Sequence, residues 1–357
     1  AAAARIAAAF PALAGLPVHA LATPGTVNAL FRIGATHVAR FPLQPTAHAE
    51  IAAEAAALEE FAAVAPFPAP VALGVVDGDA AYPSAWSVQT WVQGRTAAEA
   101  RPDADPGPLP GLTDDLARLI GALRRASMRG RSFDGRGRGG DLRVHEEWMT
   151  ECFARSEHLL DVAAARSLWA RLSRIPHPGV EVLSHRDLIP PNLVLSEDGR
   201  LDGVLDGGSF GPADPSLDLV IAWHLLGLDD RRRLRAALGS DDREWRRGGA
   251  WALQQAMGLG WYYERTNPVM AALGAQCTVL DYSSRQCERE YEVADREGYD
   301  IEVIQADMTQ PLPFADESFD LIINPVSNCY IEQVKPVFRE CYRVLKPGGS
   351  LIGGYDN

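Results

Sequence analysis

Two short runs near the start, residues 26–33 and 37–41, alternate apolar and polar positions on either side of Gly34-Ala35-Thr36. A period of two with a glycine-containing break predicts a β-hairpin. Residues 47–64 switch to Ala, Leu and Glu, and Pro66 closes them, so a helix is expected there. Strand character returns at 71–76 and 86–92. The order β-β-α-β-β then meets a linker rich in Pro, Asp and Gly at 101–111 and continues as mainly helical sequence. A small sheet-and-helix lobe joined to a helical lobe suits an enzyme with a cleft. The Ala-rich first ten residues carry only Arg5 ahead of a short apolar stretch, so they read as a helix, not a signal peptide.

The pattern changes near 273. A strand at 277–281, a helix at 285–297, a strand at 301–304, a strand at 319–323 and a helix at 338–345 follow in turn. Such alternation predicts a parallel sheet. Composition changes at the same place: both lysines of the chain, Lys335 and Lys346, and four of its five cysteines lie beyond 273. We therefore expect a boundary between sequences of different origin near 273–276. The expected parts are an N-terminal lobe (1–93), a helical lobe (94–272) and a tail (273–357). No internal repeat is visible, which argues against a solenoid.

At 357 residues, 47% hydrophobic and 23% charged, the chain can bury a large core without a staple. No apolar run approaches the roughly 18 residues of a membrane span. The cysteines form no CxxC pairs, so neither a zinc site nor a disulfide framework is expected, and the setting should be reducing and cytoplasmic. A net charge of -13 disfavours nucleic acid and anionic membranes as partners. The tail accounts for most of it, with 7 basic and 15 acidic residues from Leu273 onward.

Chemistry concentrates in Ser184-His185-Arg186-Asp187-Leu188-Ile189-Pro190-Pro191-Asn192, followed by Val204-Leu205-Asp206-Gly207-Gly208. An Asp and an Asn five apart on a Pro-held loop, then an Asp after a short strand, offer a carboxylate for a substrate hydroxyl and two oxygen ligands for a hard cation. Phosphoryl transfer requires those parts. An isolated Asp is ordinarily a turn or cap residue, but three groups in this order are not explained that way.

These residues resemble the aminoglycoside, choline and homoserine kinase family over about 16–273. The resemblance implies an α+β, protein-kinase-like two-lobed fold. It also implies an alcohol-directed phosphotransferase using Mg²⁺ and ATP or GTP on a small-molecule hydroxyl, such as an aminoglycoside-type antibiotic or a related polar compound. Within it Asp187 corresponds to the catalytic base, Asn192 and Asp206 to the metal ligands, and His185 to a scaffold residue of the loop. Asp218, in Asp214-Pro215-Ser216-Leu217-Asp218-Leu219, corresponds to the residue that holds the loop backbone. Arg186 stands where the family has Gly, and would pair with a phosphate or fold onto a carboxylate. Asn28 belongs to the segment corresponding to the phosphate-covering loop. The chain has no lysine before 335, so Arg40 becomes the candidate for the α- and β-phosphates, with Glu54 as its partner. Ser87-Val88-Gln89-Thr90-Trp91-Val92 resembles the hinge that holds adenine, with Thr90 and Val92 as contacts. Acceptor recognition is expected from Glu146, Glu147 and Trp148 and from 251–263.

The tail resembles the middle of a class I S-adenosylmethionine-dependent methyltransferase, an incomplete Rossmann-like α/β fragment. Asp281 would hold ribose hydroxyls and Asp307 would contact adenine. Residues 262–268 read as the last kinase helix where a first strand and Gly-rich turn should stand, so we expect the methyl donor not to bind tightly. Two rival readings stay open: a methyltransferase with a kinase-like regulator, and a non-catalytic pseudokinase-like binding module. Phosphate-transfer assays separate them.

Overall fold

The computed structural model describes residues 2–21, 28–100, 109–157, 162–258, 277–297, 301–324 and 333–353. Contacts divide the chain into two units, 1–260 and 261–357. The join expected near 273–276 lies outside the described residues.

The first unit opens with α1 (Ala2–Ala9) and three strands, β1 (Val18–Leu21), β2 (Asn28–Ile33) and β3 (His37–Pro42), then α2 (His48–Val64), β4 (Ala72–Val76) and β5 (Trp86–Thr90). The strands form one antiparallel sheet in the order β1-β2-β3-β5-β4. The hairpin, the long helix and the last two strands stand where periodicity places them. β1 was not anticipated: its four residues, Val-His-Ala-Leu, carry no alternation long enough to register, and pairing with β2 is what makes it a strand. On the sheet, Ile33, Phe41, Trp86 and Val88 pack with Ile6 of α1 into a closed apolar cluster. Phe41 stacks on Trp86 with ring centroids 4.5 Å apart.

The helical lobe follows with β6 (Arg95–Thr96), α3 (Ala97–Ala100), α4 (Pro110–Arg125), α5 (Glu146–Arg155) and α6 (Val162–Leu172). Next come four short strands, β7 (Val182–Ser184), β8 (Leu193–Leu195), β9 (Leu201–Val204) and β10 (Gly211–Ala213), and then α7 (Val220–Leu225), α8 (Leu228–Leu238) and α9 (Asp242–Ala256). Leu112, Leu116, Leu119, Ile120 and Leu123 recur at helical spacing on α4 and are all buried. Burying each such side chain stabilises by about 1.5–3 kcal/mol. The same cluster takes in Leu188, inside the predicted catalytic loop, Leu193 just after it, and Phe61 of α2. The core therefore clamps the loop between the helical lobe and a helix of the sheet lobe.

In the second unit β11 (Cys277–Asp281), α10 (Ser284–Glu297), β12 (Ile301–Gln305), β13 (Phe319–Asn324), α11 (Val334–Val344) and β14 (Leu345–Gly353) alternate as expected. β11 pairs with β12 and β13 with β14, both parallel. Among the described residues these remain two separate two-stranded pairs.

Candidate active site

β7 delivers the chain into the loop at His185, and β8 and β9 return it to Asp206. Asp218, nearly fully buried, holds the entry: it accepts from the Ser184 hydroxyl at 2.8 Å, the His185 amide at 3.2 Å and the Arg186 amide at 3.3 Å. Burial pushes the Asp218 carboxyl up, with the neighbouring His185 pulling the other way. His185 bonds the Leu205 carbonyl through Nε2 at 2.8 Å and lies edge-on to Phe61 at 5.0 Å. It ties the loop to the strand that carries Asp206, in keeping with a scaffold role.

Arg186 adopts φ +68°, the left-handed region that costs a non-glycine residue about 1 kcal/mol or more. Its side chain folds away along the Phe133 to Arg136 segment. It reaches Asp134 Oδ1 at 3.5 Å and the Arg136 carbonyl, and lies 5.1 Å over the Phe133 ring. Of the two expectations for Arg186, folding onto a carboxylate is the one observed.

Three side chains converge on Asp187. Asn192 Nδ2 donates to its carbonyl at 2.9 Å and to Oδ2 at 3.2 Å, while Arg138 Nη2 and Gln255 Nε2 donate to Oδ1 at 2.6 and 2.9 Å. Arg138 was not anticipated, and Gln255 falls in the stretch 251–263 expected to face the acceptor, without having been singled out there. They stand 49 and 68 residues from Asp187, one in the Gly-rich stretch 135–140 and one on α9, and no local spacing marks either. The Leu205 amide donates to the Asn192 carbonyl at 2.8 Å, which couples the loop to Asp206.

Across the lobes, Arg40 of β3 donates to Asp206 Oδ1 at 3.1 Å. The expected Arg40–Glu54 pair is replaced by this one. Glu54 of α2 lines the same hollow as Arg40 and Asp206, where enclosure pushes its carboxyl up and Arg40 pulls it less strongly down. Thr90 of the expected hinge has its amide committed to the Val71 carbonyl at 2.9 Å. Val92 lies against the backbone of Gly203. Asn28 opens β2 opposite Pro42, and residues 22–27 before it lie outside the described residues.

Residues 22–251, well over half the chain, match the family model described as the phosphotransferase enzyme family. The chain belongs to that family. Among solved structures, the chain is similar to the GDP and kanamycin complex of an aminoglycoside phosphotransferase, with a TM-score of 0.55 and 17% identity, covering 82% of this chain and 96% of that one. It is also similar to the apoenzyme of macrolide 2'-phosphotransferase MphH from Brachybacterium faecium, with a TM-score of 0.53 and 16% identity, covering 81% and 96%. At these identities the likeness is one of fold. Residues 256–353 match the model of a methyltransferase domain. That match begins ahead of residues 262–268, the stretch expected to close the kinase, so the methyltransferase-like sequence starts earlier than composition indicated. An uncharacterized methyltransferase of Bacillus subtilis (strain 168), YbaJ, is 47% identical over 90 residues, covering 25% of this chain and 35% of that protein. The chain spans about a third of the length of the first curated relatives it matches.

Within the phosphotransferase part, two of the expected acceptor contacts are spent elsewhere. Glu146 accepts from Trp169 Nε1 at 2.8 Å, and Trp251 is fully buried with its Nε1 on Asp214 at 3.3 Å. Glu147 and Trp148 are exposed on α5, and 259–263 lie outside the described residues. In the second unit Asp307, together with residues 282–284, 305 and 306, lines an open depression at the ends of β11 and β12. Asp281 borders it through its carboxylate, which accepts from the Ser283 amide at 2.7 Å. Asp307 accepts from the Thr309 amide and hydroxyl at 2.8 and 2.7 Å, which hold its carboxyl below the usual range.

Proposed function

We propose that residues 22–251 transfer the γ-phosphoryl of ATP or GTP to a hydroxyl of a small polar molecule. The observation that carries this reading is the connected set Arg40–Asp206, Leu205–Asn192 and Asn192–Asp187, which spans both lobes. In this reading the acceptor hydroxyl hydrogen-bonds to Asp187, which Asn192 and Gln255 hold in place. Its oxygen attacks the γ-phosphorus, the bond to the departing nucleoside diphosphate breaks, and the hydroxyl proton passes to the Asp187 carboxylate. Arg40 moves from Asp206 onto the α- and β-phosphates, where its planar fork suits oxygen pairs.

The donor set fits a hard cation. Asn192 spends its Nδ2 on Asp187 and keeps Oδ1 as an acceptor, and Asp206 adds a carboxylate. Among the described residues no cluster of three or more His, Cys, Asp or Glu forms a metal cage, so the remaining ligands would come from phosphate and water. Bound there, Mg²⁺ would supply charge neutralisation on the β- and γ-phosphates. Arg40→Met should weaken nucleotide binding about tenfold to a hundredfold, the range for losing a charged hydrogen bond. Calorimetric titration with ATP and GTP measures this, and unchanged affinity would remove Arg40 from the phosphate site.

The methyltransferase match favours a second reading, nucleoside binding at the depression that Asp281 and Asp307 border. We propose that this part neither binds the methyl donor tightly nor transfers methyl groups, because residues 262–268 stand where the first strand and Gly-rich turn of such a site are expected. The described strands form two unjoined pairs. Titration with S-adenosylmethionine should show a Kd no tighter than on the order of 100 µM. Micromolar binding would revive the methyltransferase reading.

A further inference from the structure

The groups around Asp187 on the helical-lobe side bear on what the acceptor is. Arg138 stands 2.6 Å from the carboxylate that must receive the acceptor hydroxyl. His145 and His224 both feel the Arg138 charge, and burial holds both imidazoles below their usual range, so at neutral pH they offer hydrogen bonds without charge. His145 Nε2 and Gln255 Oε1 are buried without a protein partner. Such atoms are costly to leave unpaired and mark places where a ligand's polar groups pair. Glu146, one of the carboxylates expected to face the acceptor, is already bonded to Trp169. Among the described residues no carboxylate other than that of Asp187 is bonded to Arg138.

We propose that the phosphoryl acceptor is a hydroxy acid, with a carboxylate one or two carbons from the reacting hydroxyl, and that Arg138 selects it. This rests on the phosphotransferase reading of the same site. A guanidinium carries five N–H donors in a fixed fork, and Asp187 takes one of them. The others form a bidentate site for a second carboxylate. A hydroxyl bonded to Asp187 puts a carboxylate on the adjacent carbon within reach of that fork. Gln255 Nε2 is fixed on Oδ1 of Asp187, the same oxygen that Arg138 holds. An ammonium group in the carboxylate's place would face Arg138 with like charge. The phosphate ester forms on the hydroxyl oxygen, the proton goes to Asp187, and the acceptor carboxylate stays intact.

The test uses the full chain with Mg²⁺ and three open-chain acceptors that differ only at the first carbon: gluconate, glucitol and glucamine. Calorimetry measures their binding to the chain saturated with a non-hydrolysable nucleotide, and turnover is followed with ATP and GTP. Gluconate should bind about tenfold or more tighter than the other two, as a charge-assisted bidentate contact implies. Arg138→Gln should abolish that preference through KM, and Arg138→Lys should restore part of it. A preference for glucamine, a gluconate preference that survives Arg138→Gln, or no binding by any of the three overturns the proposal. Nucleotide binding in the same titrations reports separately on the phosphotransferase reading: a chain that binds nucleotide but rejects gluconate keeps that reading and loses this one.

Discussion

Asp187→Asn should lower kcat by about 10²–10⁴-fold, the contribution of a positioned general base, while nucleotide affinity stays near the wild-type value. The amide is nearly isosteric with the carboxylate, its one oxygen still accepts from Arg138 and Gln255 in the place of Oδ1, and Asn192 keeps its bond to the backbone carbonyl, so the loop should keep its fold. What it loses is the capacity to take the hydroxyl proton. Single-turnover transfer of the γ-phosphoryl to any accepted substrate measures the effect, with melting temperature as the control for folding. Turnover equal to wild type would take Asp187 out of the role of base and leave the connected set at the cleft without its chemical centre.

Arg247→Met should unfold the first unit at markedly lower denaturant. Arg247 and Asp214 are 1% and 0% exposed and bonded to one another, with Nε 2.7 Å from Oδ2. Asp214 also accepts from the Ser216 amide and hydroxyl at 2.9 and 2.7 Å, and Arg247 reaches the Gly140 carbonyl at 3.2 Å. Removing one partner leaves a buried charge without compensation, which costs about 3–5 kcal/mol. For a unit of this size the melting temperature should fall on the order of 10 °C. The pair links α9 to the segment that carries Gly139 and Gly140, next to Arg138, so acceptor affinity should weaken before the fold is lost. A double replacement, Asp214→Asn with Arg247→Met, should cost less than the sum of the two singles, because neither then leaves an unpaired charge. A loss under about 1 kcal/mol in Arg247→Met would contradict the burial argument.

The asymmetry between what was legible and what was not follows from the range of the interactions. The hairpin at 28–42, the helix ending before Pro66 and the order Asp187, Asn192, Asp206 are set by neighbours in sequence, so periodicity and spacing display them. The loop-holding role of Asp218 came from the resemblance, and its three hydrogen bonds agree with it. Arg186 was half legible: its place beside the base could be read, while the direction of its side chain depended on Phe133 and Asp134, some fifty residues away.

The sequence by itself determined the strand and helix periods, the chemical inventory of the loop and the change of character in the last quarter, because each is a property of adjacent residues. Only the tertiary structure decided that Arg40 pairs with Asp206 across 166 positions in place of Glu54, and that Arg138 and Gln255 close on Asp187. Those pairings depend on how the two lobes and the Gly-rich stretch fold back on one another, and a linear pattern carries no record of which distant side chains the packing of a core brings within 3 Å.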